Sequence, residues 1–145
     1  QGLVLLVLAP LAGLRLSLEM LGVAVPILIL VAFSLTALSF CIAWRMDSTQ
    51  GFHAIMTVFL MPLWLLSGAP FPARGAPAWL GALIACNPLT YGLAAFRRSL
   101  YPGGAGAVAG LPALVPSLVV TVFFGVLCFG GALLLARRIG PGGGA

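Results

Sequence analysis

Long apolar runs, each cut short by a cluster of arginine, proline or glycine, fill this chain, and their lengths sort them into elements. Residues 2–14 give about 13 apolar residues, short of the roughly 20 that cross a hydrocarbon core, and predict the far end of a partial span. Residues 20–44 run about 25 residues without a charge, long enough to cross with tilt, and Pro26 is tolerable there if neighbours serve the carbonyl it frees. Arg15 and Glu19 mark the boundary between these two runs. Four positions apart on a helix, they predict a weak interfacial ion pair. Ser34, Thr36 and Ser39 predict bonds to backbone or small-residue packing against a neighbouring helix.

The most polar stretch, residues 45–51, predicts a tight turn, with Asp47 or Ser48 capping the helix that follows. The next span covers residues 52–68. Its apolar part, residues 52–66, reaches only some 23 Å at about 1.5 Å per residue, so the helix is expected to stop inside the far leaflet. Two shorter apolar pieces, residues 77–85 and 89–100, meet at Asn87-Pro88, where proline disfavours helix in the residue before it. Neither can span alone, and a re-entrant helix pair over residues 77–100 suits the lengths better than one continuous crossing. A glycine-rich connector leads to a final span over residues 111–136, with Pro112 and Pro116 near its first turns and Arg137-Arg138 at its end. The expected fold is all-α: a polytopic membrane helix bundle, one domain over residues 1–145, with a re-entrant helical hairpin between the last two spans.

Composition excludes the alternatives. Hydrophobic residues make up 62% and charged residues 6% of the chain, against roughly a quarter charged in a soluble domain. A water-soluble globule is ruled out. The net charge of +5 is that of seven arginines against two acids, and the arginines lie at the ends of apolar segments, where headgroups solvate them, so no nucleic-acid partner is indicated. Their count does not orient the chain: with a re-entrant pair, Arg45, Arg137 and Arg138 face Arg15, Arg74, Arg97 and Arg98. Cys41, Cys86 and Cys128 have no CxxC partner and read as packing residues, not as metal or redox sites. With one His, one Asp and one Glu, no catalytic constellation, cofactor site or metal site is expected, and His53 reads as structural or interfacial. No phosphate loop with a lysine is present, so the chain cannot bind ATP in the P-loop manner.

The informative pattern is one of helix breakers and aromatics: Pro62, Trp64, Leu66, Ser67, Gly68, Phe71 and Pro72; then Pro77, Trp79 and Leu80; then Asn87, Pro88, Leu89, Thr90 and Tyr91, with Arg97 following. Pro62 loosens a helix, Ser67-Gly68 ends it, and Pro70 and Pro72 hold an extended turn. Trp79 and Tyr91 suit the headgroup level, Asn87 can satisfy free backbone groups at the hairpin tip, and Arg97 can hold a lipid phosphate. This order resembles the permease subunits of type-2 ABC exporters, a family that includes daunorubicin-resistance-like and nodulation-factor-export-like proteins. The resemblance is specific over residues 47–101.

That resemblance implies six spans with both termini in the cytoplasm of a bacterial cell, in its cytoplasmic membrane. Residues 2–14 become the end of the third span, 20–44 the fourth, 52–68 the fifth, 77–100 an outer re-entrant pair, and 111–136 the sixth. Residues 45–51 and Arg137-Arg138 become cytoplasmic. The first two spans and the loop through which such permeases mainly contact their ATPase are expected before Gln1, so this piece is not expected to transport alone. Implied partners are a separate ATP-binding cassette ATPase subunit, a second permease subunit in a homo- or heterodimer, and membrane lipids. The implied function is ATP-driven export of an amphipathic drug-like or lipid-like substrate, with the outer pair as an exit lid and Trp64, Phe71, Trp79 and Tyr91 as apolar contacts for it. The alternatives are export of a lipid-linked glycan and a non-transporting membrane scaffold.

Overall fold

The computed structural model describes residues 1–68, 77–102, 106 and 108–137, and among them the secondary structure is helical with no strand. Helix α1 (Gly2–Leu8) runs into a 3₁₀ turn at Ala9–Ala12, matching the short first segment. Helix α2 (Leu18–Ala43) starts a little earlier than the apolar run suggests, because the Ser17 hydroxyl accepts from the Met20 N–H at 3.2 Å and caps it. Arg15 precedes that cap. It therefore shares no helix face with Glu19, and the expected pairing register does not exist. Glu19 instead sits in the first turn of α2, where a carboxylate complements the helix dipole.

The next run folds as α3 (Thr49–Ile55), a π turn (Met56–Leu60) and α4 (Met61–Leu65), capped by Ser48 and not by Asp47. The widened turn lies directly before Pro62, which lacks an N–H and crowds the carbonyl one turn back. Ser67-Gly68 ends the run as expected. The Ser67 N–H and hydroxyl both turn back to the Trp64 carbonyl, at 3.1 and 2.6 Å, and Gly68 takes the left-handed conformation at φ 79°. From Thr49 to Leu65 the helix reaches about 25 Å, less than the roughly 30 Å hydrocarbon core.

Helices α5 (Ala78–Cys86) and α6 (Pro88–Leu100) meet at Asn87 with an 80° bend, so one straight span through Asn87-Pro88 is excluded. Helix α7 (Leu114–Arg137) follows, with Pro112 just ahead of it and Pro116 in its first turn. Among the described residues, α2 and α7 are the single helices long and apolar enough to cross a membrane.

Close packing joins α2, α6 and α7. Ser34 and Cys41 of α2 meet in turn Gly125 and the Cys128–Gly131 stretch of α7, and Val31 and Thr121 both lie against Gly92 of α6, so α2 and α7 run parallel. Trp44-Arg45 and Arg137 therefore lie at one end of the bundle, as expected of segment ends on one side of a membrane. Helix α6 runs the other way. Its Gly92 lies against Val31, while Leu100 clusters with Ala24 near the start of α2 and Phe96 packs on that cluster. It thus occupies only the half of the bundle where α2 and α7 begin.

Small residues make this closeness. A methyl group on Gly125 would sit 2.6 Å from Ser34 Oγ, whose hydroxyl donates to the Leu30 carbonyl at 2.7 Å. The Cys41 thiol donates to the Cys128 carbonyl at 3.5 Å, and Phe33 packs on Phe129 at 5.2 Å between ring centroids. Cys41 and Cys128 are thus packing residues, whereas Cys86 is exposed at the end of α5. Thr36 bonds its own helix, donating to the Ala32 carbonyl at 2.8 Å. Gly125→Ala is expected to lower unfolding stability in detergent by about 1–2 kcal/mol. Adding Ser34→Ala should recover most of that loss, and thermal unfolding of the single and double variants measures the coupling.

Candidate functional site

The polar chemistry of the chain converges where α4 ends and α6 begins. Each broken helix leaves carbonyls without their usual donor, and in an apolar medium an unserved carbonyl is costly. In a continuing helix the Leu63 carbonyl would accept from Ser67 N–H, but that group is turned to Trp64. Asn87 Nδ2 takes its place, donating to the Leu63 carbonyl at 2.6 Å. The Leu66 carbonyl, one turn on, lies 3.5 Å from the Thr90 hydroxyl, whose one proton points to a nearer acceptor.

The end of α5 is served in the same way. Pro88 has no N–H to give the Ile84 carbonyl, which accepts instead from the Thr90 hydroxyl at 2.8 Å and from the Asn87 N–H at 3.2 Å. The Leu89 N–H is held by Asn87 Oδ1 at 3.0 Å, the N-cap of α6, so the Ala85 carbonyl is left over. Tyr91 OH donates to it at 2.9 Å. Asn87 and Thr90 are buried, and their side chains are committed to backbone. The role expected of Asn87 is what the structure shows. One turn beyond the elbow, the Tyr91 hydroxyl closes the end of α5.

Arg98 does for the far end of α6 what Asn87 does for the near end. Its Nε donates to the Pro112 carbonyl at 2.6 Å and its Nη2 to the Leu111 carbonyl at 2.7 Å. The normal helical donor for Pro112 would be residue 116, another proline. Sequence reasoning treated Arg98 only as a helix-ending cation. The two prolines spaced by four were the signal that a carbonyl there needed a foreign donor. Arg97, beside it, is half-buried.

A largely apolar groove of about 530 Å³ opens beside this junction, between α1, α2, α6 and the end of α4; Leu5, Leu28, Val31, Trp64, Ser67 and Leu93 are among its walls. Of the aromatics expected to meet a substrate, Trp64 lines this groove and is 52% exposed, whereas Trp79 projects from α5 at 65% exposure and takes no part in the lining. Phe71 and Pro72 lie outside the described residues, and Pro77 is the residue that precedes α5. Of the three that are described, Trp64 alone is in this lining. Among the described residues no group of three or more metal-binding side chains occurs.

A family model, ABC-2 type transporter, matches residues 1–101, more than two thirds of the chain and every element from α1 to α6. The chain belongs to the ABC-2 type transporter family. No curated protein and no solved structure matches it. As an ABC-2 membrane domain it is an integral membrane protein and a permease component of an ABC transporter, a family whose permeases work with an ATP-binding subunit. The match ends just after α6, so the loop carbonyls that Arg98 holds, and α7, lie beyond it.

The hydrogen bonds set an order of sensitivity for this ABC-2 domain. Asn87→Ala removes both a helix cap and the donor to Leu63, and is expected to cost about 2–3 kcal/mol; Tyr91→Phe removes one hydroxyl donor and should cost about 1 kcal/mol. Thermal unfolding of the purified full-length variants checks the ranking. Equal losses for the two would contradict it.

Proposed function

We propose that this chain belongs to the permease subunit of an ATP-driven exporter in the bacterial cytoplasmic membrane, of the daunorubicin-resistance and nodulation-export kind. Two copies, or two related subunits, form the pathway, and two separate ATPase subunits drive it between two packings. The cargo is an amphipathic drug-like or lipid-like molecule. The observation that carries this reading is the family match over α1 to α6, taken together with the apolar groove that Trp64 and Ser67 border at the end of α4.

In this reading residues 45–51 and Arg137 face the cytoplasm, and the α5–α6 pair, with Arg97 beside the outer headgroups, serves as a lid at the exit. The outer side of α3–α4 carries exposed Val58, Phe59 and Met61, apolar surface that suits a second permease subunit. The test is efflux from inverted vesicles holding the full-length protein with its ATPase subunit. ATP-dependent accumulation of an amphipathic dye is expected, with loss of transport when residues 77–100 are deleted. Transport that survives the deletion would refute the lid role, and absence of ATP-dependent transport in the intact protein would favour the scaffold alternative. In the same preparation, cysteine at Phe59 is expected to cross-link between subunits, with gel mobility as the readout.

A further inference from the structure

The α3–α4 run stands apart from the closely packed group of α2, α6 and α7. Its end is tied to another element, among the described residues, by the Asn87 side chain on the Leu63 carbonyl, with the Thr90 hydroxyl 3.5 Å from the Leu66 carbonyl. Along its length, the π turn at Met56–Leu60 followed by Pro62 weakens the ladder that would make it a stiff rod. Beyond it, Ser67-Gly68 breaks the helix, with Gly68 at φ 79°. A segment with a loosened middle, exposed sides and one polar attachment at its tip is built to move relative to the core and to pull on what it is attached to. What it is attached to is the α5–α6 elbow.

We infer that Asn87, assisted by Thr90, is the joint through which displacement of α3–α4 is transmitted to the α5–α6 pair. One side chain holds both partners: Nδ2 grips the end of α4 at 2.6 Å, and Oδ1 caps the first turn of α6 at 3.0 Å. Asn87 is buried, so no water replaces Leu63 as acceptor, and the bond breaks only at the full cost of two unserved groups. The elbow therefore follows the tip of α4 and does not slide past it. Asn87 and Thr90 are positioning residues. The direction of the motion, an opening of the exit, rests on the exporter reading above; the mechanical coupling does not.

Asn87→Ser separates the two duties, because serine still caps a helix but is too short to reach Leu63 as well. Spin labels on the exposed positions Phe59, Leu83 and Val119, one labelled subunit per dimer of the full-length permease with its ATPase, report α3–α4, α5 and the core. On adding a non-hydrolysable ATP analogue, the 59–119 and 83–119 distances are expected to shift together in the wild type. In N87S the first should still shift and the second should not, while efflux falls about tenfold and ATP hydrolysis by the ATPase subunits continues. Should N87S fail to fold, Asn87→Thr, which likewise keeps a capping oxygen and loses the Nδ2 donor to Leu63, carries the same measurement. Joint movement of both distances in the variant overturns the coupling. Absence of ATP-driven efflux in the wild type overturns the exporter reading instead, and leaves the paired distances to judge the joint.

Discussion

Every backbone carbonyl in an apolar medium must find a donor inside the protein, and this chain breaks its helices where that is hardest to arrange. Four side chains meet the demand. Asn87 and Thr90 serve the ends of α4 and α5, Tyr91 serves α5, and Arg98 serves the stretch that leads into α7. The rest of the architecture follows from those bonds. They fix the 80° elbow, hold its depth to the end of α4, and fasten the far end of α6 to the start of α7. Among the described residues, the ends of α4 and α5 and the stretch before α7 are each closed by a named donor.

The same logic divides the molecule into a rigid part and a compliant one. Between α2 and α7, glycine, serine and cysteine let backbones approach, and dispersion at short range replaces the hydrophobic drive that lipid does not supply. Helix α6 joins them through Gly92, Ala94 and Ala95, which leave no bulk between the helices. The α3–α4 run has no such seam. It is bulky and apolar outward, interrupted by a π turn, and attached at its tip. A transporter that alternates between packings needs both kinds of part.

Much of this was legible in the residues, for stated physical reasons. The lengths of the apolar runs gave the helices, Ser67-Gly68 gave the stop, and Asn87-Pro88 gave the elbow with its use for asparagine. Three readings were not available in that way. The Arg15–Glu19 pair assumed helix on both sides of what proved to be an N-cap at Ser17. The acceptor of Tyr91, the Ala85 carbonyl, is left open only because Asn87 intercepts the Leu89 N–H, a relation between side chains that residue types alone do not display. The role of Arg98 depends on a loop that returns to the end of α6, which is a tertiary fact, although the proline pair at 112 and 116 pointed to an unserved carbonyl.

The central claim is that α5 and α6 turn at a buried elbow and that one net crossing separates the end of α2 from the start of α7. Gly106, exposed and with open space where a side chain would go, is the position that reports it. In full-length protein with Cys41, Cys86 and Cys128 replaced by serine, cysteines at Gln50 and at Gly106 are treated in intact cells with a membrane-impermeant maleimide. The account predicts that the cysteine at 106 reacts from outside while the cysteine at 50 reacts only after permeabilisation. Reaction of both from the same side would contradict it.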